Sequence, residues 1–512
     1  MNILVTGGSG FLGKHLIASL LNEGHSVTAI GKGEIKDSKD SLIILIAHDL
    51  LQEPSEEIRS KLKDIDAVVH LAAIMPSKLG ESKDIVVQNK TMTQNALSLV
   101  DSPKLFVFAS SVDVYPYSDA IVDENTPLNP ISAYGQSKRE SEEICLQWSK
   151  THRETALNIL RFSHLYGPAD TNKKMIDTLM RNTLLGKKSM VYGDGNDKRT
   201  YLFMEDAVRA ISLCLENKKS SVFNVGGNNY YSVREVIANI EEMLGVKMNL
   251  EMVPRKIHSP KKTGGSLVSS KKFAEATGFV PKTDLRSGLH QLLPKNVFFD
   301  LDGPILDVKE RYYCVYKQFV MANRGTPLSL DEYWQQKRMN IPLEKLLEAS
   351  KCPGLVVEHK KYLSQLREES SSLRLDKLQP RAKEVLIHLF GKHNLYLITL
   401  RRNKENLFGQ LDELGLLPFF KEVLSIAPTS ESKWQHKVDL LNKYHLQLEA
   451  GIIIGDTPTE TLTAKKVGLT SIAVSNGIRT KDILLKAEPH LLVESIGELA
   501  FLPFFKLKCI DQ

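Results

Sequence analysis

MNILVTGGSGFLG, residues 1–13, is a short apolar run followed at once by a turn rich in glycine. Asn2 to Thr6 suits a strand buried on both faces, and Lys14 to Leu21 continues at helical spacing. Strand, glycine turn and helix in that order make the opening unit of a dinucleotide-binding fold. Gly7 allows the tight turn. Gly10 lets backbone approach a pyrophosphate with no Cβ in the way, and Gly13 lets the helix lie close to the strand. The free N–H groups at the helix start then face the negative charge.

The chain has 512 residues, too many for a single core, so more than one domain is expected. It is 42% hydrophobic and 25% charged, an ordinary balance for a globular protein, and a formal charge of +6 over this length does not call for nucleic acid. Cys145, Cys214, Cys314, Cys352 and Cys509 are odd in number and share no paired spacing, which argues against zinc or a disulfide framework and fits a reducing compartment. No apolar run approaches the ~20 residues of a membrane helix. With a strand starting at Met1, no leader segment is expected, and a cytoplasmic enzyme is.

Outward from the first unit, Ser26 to Ile30 reads as a second strand. Where an acidic residue often ends this strand to bind ribose hydroxyls, Gly31-Lys32-Gly33 stands instead. Lys32 could meet a 2′-phosphate, which would favour NADP over NAD, or be a solvated loop lysine. Leu42 to Ala47 and Ala67 to Leu71 are further strands. Asp49, just past the first, is placed to reach an adenine edge, and Ala72-Ala73, past the second, lets backbone lie close to a cofactor. Leu105 to Ala109 is a fifth strand, with Ser110-Ser111 at its carboxyl end, where ligands of doubly wound sheets bind. Tyr134 and Lys138 stand four apart and share one helical face. An ammonium beside a phenol is expected to lower the phenol's pKa, so that Tyr134 takes a proton from a hydroxyl held by Ser111 while hydride leaves for nicotinamide.

TGGSGFLG at Thr6, HLAA at His70, SSVDVY at Ser110, YGQSK at Tyr134, LRFSHLYGP at Leu160 and FNVGG at Phe223 together resemble the extended short-chain dehydrogenase/reductases, of the sugar-nucleotide epimerase and dehydratase kind. The resemblance runs from Met1 to about Leu293. It implies Ser111, Tyr134 and Lys138 as the catalytic set. It implies a cofactor lying along Gly7, Gly10, Phe11, Leu12, Lys32, Asp49, Leu50, Leu71, Ala72, Ala73 and Asn89, with Tyr134 and Lys138 beside it. It implies a nucleotide sugar held by Ser111, His164 and Arg199, the last gripping phosphates unless it is a surface charge. Helices of the first domain often pair in such enzymes, which leaves a homodimer open. Two departures bear on the reaction. Val112-Asp113 stands where dehydratases carry an Asp-Glu pair, and His164 replaces the asparagine usual before Tyr166-Gly167-Pro168. Epimerisation or keto reduction is thereby favoured over dehydration.

Pro294-Lys295-Asn296 reads as the boundary, giving domains 1–294 and 295–512. Val297-Phe298-Phe299 then leads into Asp300-Leu301-Asp302-Gly303. Two carboxylates two apart at a strand end point the same way, as a phosphoryl-accepting nucleophile and its acid/base require. Later apolar strands end in Thr399, precede Lys433 and Lys437, and end in Asp456-Thr457-Pro458-Thr459-Glu460: hydroxyl, ammonium and carboxylates, the groups that a phosphate and a metal need. These four motifs in order resemble the haloacid dehalogenase superfamily of phosphatases. The resemblance implies Asp300 as nucleophile and Asp302 as acid/base, with Asp300, Asp302 and Asp456 around Mg²⁺. Glu460 is the second acid of its motif, and Thr399 and Lys437 bind the phosphoryl group of a phosphorylated small molecule, Lys433 being the alternative lysine. Pro304 stands where Thr is usual. A helical cap is expected over about 308–380, with Glu368 to Ser372 as a charged loop or hinge in it, and the apolar tail from Phe501 to Phe505 packed on a domain surface.

The expected whole is α/β, two doubly wound domains: an NAD(P)-binding Rossmann fold and a capped Rossmannoid hydrolase. It points to a bifunctional enzyme with no nucleic acid or membrane partner. In the rival reading only one half is catalytic and the other is a cofactor-binding or regulatory module.

Overall fold

The computed structural model describes residues 1–32, 43–76, 84–168, 175–217, 219–254, 267–429, 431–443 and 451–506. Gly33, Leu42 and Cys509, read above as parts of a turn, a strand and the cysteine set, lie outside them. The chain divides into two compact units. The first is Met1–Met180, Lys188–Met243 and Lys247–Gln291; the second is the rest, chiefly Leu292–Gln512.

In the first unit the strands are β1 (Asn2–Thr6), β2 (Ser26–Gly31), β3 (Ile43–Ala47), β4 (Ala67–His70), β5 (Leu105–Ser111), β6 (Ala156–Phe162) and β7 (Ser221–Val225), with helices α1 (Phe11–Asn22), α2 (Asp84–Leu97) and α3 (Ala133–Thr151) among their crossovers. They form one parallel sheet in the order β7-β6-β5-β4-β1-β2-β3. Helices cover both faces, so the central strands β4, β5 and β6 are buried at every residue and read as unbroken apolar runs. The two faces build separate cores. One gathers Ile3, Val5, Leu16, Val107 and Phe223, the other Leu4, Val68, Phe106, Phe108 and Ile159. The sheet order reverses between β1 and β4, the point at which such sheets open a crevice at the strands' carboxyl ends.

Short strands lie outside this sheet: His164–Tyr166, Lys198–Phe203 and Tyr230–Ser232 make one small sheet, Ser189–Tyr192 and Leu250–Val253 another. A buried ionic network ties the main sheet to α3. Glu142 pairs with Arg161 at 2.6 Å, Ser110 donates to Glu142, and Arg161 donates to the Tyr115 hydroxyl at 2.7 Å.

In the second unit β8 (Asn296–Phe299), β9 (Asn394–Thr399), β10 (Glu422–Ser425), β11 (Ile452–Gly455), β12 (Thr470–Val474) and β13 (Leu491–Val493) form a parallel sheet in the order β10-β9-β8-β11-β12-β13. Phe298, Tyr396, Ile398, Leu424 and Ile453 lead one of its cores. Between β8 and β9 the chain runs through helices α4 (Lys309–Ala322), α5 (Leu330–Arg338), α6 (Leu343–Ala349), α7 (Val356–Leu366) and α8 (Ser370–Leu373), the expected cap. Glu368 is no solvated hinge residue. It is 6% exposed, and one of its oxygens accepts from the backbone N–H of Arg402 and of Asn403 at 2.7 and 2.8 Å. A carboxylate among charged and serine neighbours looks solvated in sequence; here those two amides and the Arg367 guanidinium at 3.5 Å make its burial tolerable. At the tail, Phe504 is buried with its ring 4.4 Å from that of His393, while Phe501 is exposed. No helix among the described residues is long and apolar enough to cross a membrane.

Candidate active sites

Gly7 has φ +71°, and a Cβ there would lie 2.8 Å from the Ala72 nitrogen, so the turn after β1 and the end of β4 touch through backbone. Gly10 caps α1 without a side-chain hydrogen bond, which leaves the first amides of the helix to an anion. Thr6 and His70 join the two strand tips: the Thr6 hydroxyl lies 2.7 Å from His70 Nδ1 and accepts from the Ala72 N–H at 3.3 Å. Asn89 braces the segment beyond β4. It accepts from the Ile74 N–H at 2.7 Å and donates to the Ser137 hydroxyl at 2.9 Å, so α2 holds this loop against α3.

Ser111 ends β5, and its hydroxyl accepts from the Asp113 N–H at 3.2 Å. Gly135 abuts the Asp113 carbonyl so closely that any Cβ would collide with it, which sets the first turn of α3 against the turn after Ser111. Tyr134 and Lys138 are thus delivered to the tip of β5. Lys138 Nζ donates to the Ala109 carbonyl at 2.6 Å and stands 5.9 Å from the centre of the Tyr134 ring. Burial brings the Lys138 ammonium down to about 8. The expected lowering of the Tyr134 pKa is not found. Burial, and after it the Asp113 carboxylate, push it upward, and the Lys138 ammonium donates to the Ala109 carbonyl.

Lys32, weighed as a 2′-phosphate contact, pairs with Asp49 at 2.8 Å, and Asp49, weighed as an adenine contact, also accepts from the Leu51 N–H. Opposite charges on neighbouring loops satisfy each other. Arg199 and His164 lie on adjacent strands of the small sheet, where the centres of the His164 and Tyr201 rings are 6.0 Å apart with their planes tilted by 58°. The Arg199 Nε is buried without a hydrogen-bond partner. Phe11 and Leu12 open α1, Leu71 and Ala73 follow β4, and Leu50 comes three residues after β3.

In the second unit Asp300 follows β8 directly. Lys437, wholly buried on the helix Lys433–Lys443, bridges Asp300 at 2.8 Å and Glu460 at 2.6 Å. The helix register thus chooses Lys437; Lys433 is exposed. Glu460 also accepts from the Thr457 N–H and hydroxyl, closing a capping box on the helix Pro458–Val467. Asp456 ends up fully buried between Gly303 and Gly477, whose missing Cβ atoms are what make room for its carboxylate. One Asp456 oxygen accepts from the Ile478 N–H, and the other is buried with no partner. Asp300, Asp456 and Glu460 offer oxygens within 4.8 Å of one another. An orphaned carboxylate oxygen in such a group is what a divalent cation satisfies. Burial lifts the Asp300 carboxyl to about 6, with Lys437 working against the rise, and burial raises Asp456 well above the usual range, with the Asp300 charge adding to it.

Asp302, expected as a metal ligand as well as acid/base, is engaged otherwise. Its carboxylate is held by Arg401 and, at 2.9 Å, by Arg311, which also reaches Asp376 at 3.0 Å. Burial alone would raise the Asp302 pKa; the two guanidiniums outweigh it and hold the group far below the usual carboxylate range. Glu460 takes the third place in the carboxylate cluster. Thr399 is buried at the tip of β9. The sequence reading missed Arg311, Arg401 and Asp376, which come from the cap and from loops that no motif marks.

Residues 3–226 match the family model of the NAD-dependent epimerase/dehydratase family, and residues 297–474 that of haloacid dehalogenase-like hydrolases. Among curated proteins the chain is 30% identical over 309 residues to an uncharacterized UDP-glucose epimerase, YtcB, of Bacillus subtilis, covering 56% of this chain and 96% of that one. It is 28% identical over 272 residues to a UDP-N-acetyl-alpha-D-glucosaminuronate decarboxylase of Bacillus cytotoxicus, covering 49% and 83%. Among solved structures, MoeE5 in complex with UDP-glucuronic acid and NAD is 29% identical with a TM-score of 0.50, covering 57% of this chain and 97% of that one. UDP-glucuronic acid 4-epimerase of Bacillus cereus, in complex with UDP-glucuronic acid and NAD, is 27% identical with the same score and coverage.

Proposed function

The chain belongs to the NAD-dependent epimerase/dehydratase family and carries a haloacid dehalogenase-like hydrolase domain behind it; from that premise we propose a bifunctional enzyme of sugar metabolism. The first half epimerises a nucleotide sugar with NAD, or reduces it with NADH as hydride donor, and the second hydrolyses a phosphate monoester with Mg²⁺ through a phospho-aspartate. What carries both readings is one placement: each set of reactive groups stands at the carboxyl tip of a central parallel strand, β5 in one sheet and β8 in the other.

In the first half the amides at the start of α1 and the bare backbone of Gly7 and Ala72 suit a pyrophosphate. NAD supplies the hydride acceptor when bound. Ser111 holds the substrate hydroxyl, and Tyr134 takes its proton at the phenolic oxygen. Lys138 orients the site through the Ala109 carbonyl and contributes positive charge. The complexes of MoeE5 and of the Bacillus cereus epimerase with NAD and UDP-glucuronic acid favour NAD and a UDP-linked sugar.

In the second half Asp300 and Asp456 would hold Mg²⁺, which neutralises charge on the phosphoryl oxygens. Asp300 attacks phosphorus and the ester oxygen leaves. Thr399 and Lys437 hold the phosphoryl oxygens. Asp302, kept ionised by Arg311 and Arg401, then takes a proton from the water that cleaves the phospho-aspartate. Donating a proton to the leaving group first requires those pairs to loosen.

Two variants test the proposal. Asp300→Asn should abolish phosphate release from p-nitrophenyl phosphate and leave NAD binding as it is. Tyr134→Phe should cut nucleotide-sugar turnover by about 10²–10⁴ and leave phosphate release as it is. Loss of both activities in either variant would refute two independent sites.

A further inference from the structure

The carboxyl end of the cap helix α5 is seated on the loop that supplies Asp456 with its N–H donor. Arg338 donates to the Ser475 carbonyl and accepts at its own carbonyl from the Thr480 N–H, while Arg479 donates to the Lys337 carbonyl at 3.0 Å. Ile478, next in sequence to Arg479, is the residue whose N–H holds Asp456. Cations collect at this seam. Lys337 Nζ stands 4.2 Å from the centre of the Tyr312 ring, and the guanidiniums of Arg311 and Arg367 stand 5.5 and 5.7 Å from the same ring.

These cations are not compensated alike. Arg311 has Asp302 and Asp376, and Arg367 has Glu368 at 3.5 Å. Among the described residues neither Lys337 nor Arg479 makes an ion pair with a carboxylate, and the acidic charge that reaches Arg479 is that of Asp456, already part of the metal-type cluster. The neighbouring charges that act on Lys337 most strongly are positive: Arg479, Arg367, Lys433 and Arg311. Burial and then these neighbours bring its ammonium down to about 7. A half-buried cluster of like charge beside a reactive centre is costly unless an anion completes it. The transferred phosphoryl group is served elsewhere, by Lys437 and Thr399.

We propose that Lys337 and Arg479, with Arg367 and Tyr312 beside them, form a second anion subsite, so that the ester cleaved in this half carries a further carboxylate or phosphate on its leaving group. The inference rests on the hydrolase reading above and adds the substrate class. It accounts for cations from the cap, Lys337 and Arg367, being gathered with Arg479 from the loop whose Ile478 N–H holds Asp456.

Binding to the full-length Asp300→Asn protein with Mg²⁺ tests it, measured by calorimetry with three probes: α-D-glucose 1-phosphate, α-D-glucuronic acid 1-phosphate and glucose 1,6-bisphosphate. The probes differ mainly at one carbon, in a hydroxyl, a carboxylate or a phosphate. One or both of the probes with a second anionic group should bind at least about tenfold tighter than α-D-glucose 1-phosphate, whose only anionic group is its phosphate, and which does so identifies the second group. Adding Lys337→Met or Arg479→Gln should shrink that gap to less than about threefold, and Lys337→Arg should restore it. Equal binding of all three probes, no binding of any, or an equal loss for all three in the variants would overturn the subsite. Should the unmodified protein release no phosphate from any ester while the binding gap stands, the hydrolase reading fails and the subsite remains.

Discussion

Gly303 shows how little space the second site leaves at the scale of one residue. Its φ is +113°, a conformation that other residues rarely adopt, and any Cβ there would fall on the Asp456 carboxylate. Gly303→Ala should therefore lower phosphate release by at least about a hundredfold and depress the melting temperature, with NAD binding untouched. Retention of more than a tenth of the activity would mean that Asp456 can move aside. At this scale the sequence exposes some roles and hides others. Asp300, Asp456 and Lys437 stand at motif positions and come together in space. Lys32 reads in sequence as a 2′-phosphate contact or a solvated loop lysine and Asp49 as an adenine contact, and only folding shows that the two lie 2.8 Å apart as an ion pair. Lys337, Arg367 and Arg479 carry no motif at all. They become neighbours because the cap is laid on a loop more than a hundred residues later in the chain.

Among the elements, α3 calls for a test of its own, because Glu142 follows the reactive Tyr134 and Lys138 at the same four-residue spacing and its charge acts on Lys138. Glu142 and Arg161 are both nearly wholly buried, at 1% and 5% exposure, and each serves as the other's counter-ion. Glu142→Ala leaves a buried guanidinium with no carboxylate, which should cost about 3–5 kcal/mol in denaturant unfolding. The double replacement of Glu142 by Leu and Arg161 by Met should cost less than either single loss. A double variant as damaged as the sum of the two single losses would show that the two charges are not coupled and that neither compensates the other. The long parallel strands and the glycine turn are legible in sequence, since strands covered on both faces must be apolar throughout. The small sheets are not. Strands of three residues, such as His164–Tyr166 and Tyr230–Ser232, are too short to show alternation.

For the molecule as a whole, acidity is the lever that reaches both units. Burial holds His70 of the first unit down to about 3, and His359 and His393 of the second down to about 4, against an ordinary 6.5. Each binds its proton more readily when unfolded, so each contributes stability above pH 6.5 that is lost as the pH falls toward its folded value, at about 1.4 kcal/mol per pH unit for each group. Melting temperatures of both units should drop steadily from pH 6.5 to 4, and His70→Gln should flatten the dependence for the first unit alone. An unchanged slope in that variant would assign the acid sensitivity to other groups. The strand order has a different consequence, one for synthesis. The first sheet has its last strand by Val225, whereas Val297 in the second pairs with Leu395 and Ile452. On the ribosome the nucleophile's strand must wait for about 155 further residues before both of its neighbours exist, unpaired along two edges. The cap helices fill most of the first interval, and a chaperone that binds nascent chains would find its longest opening there.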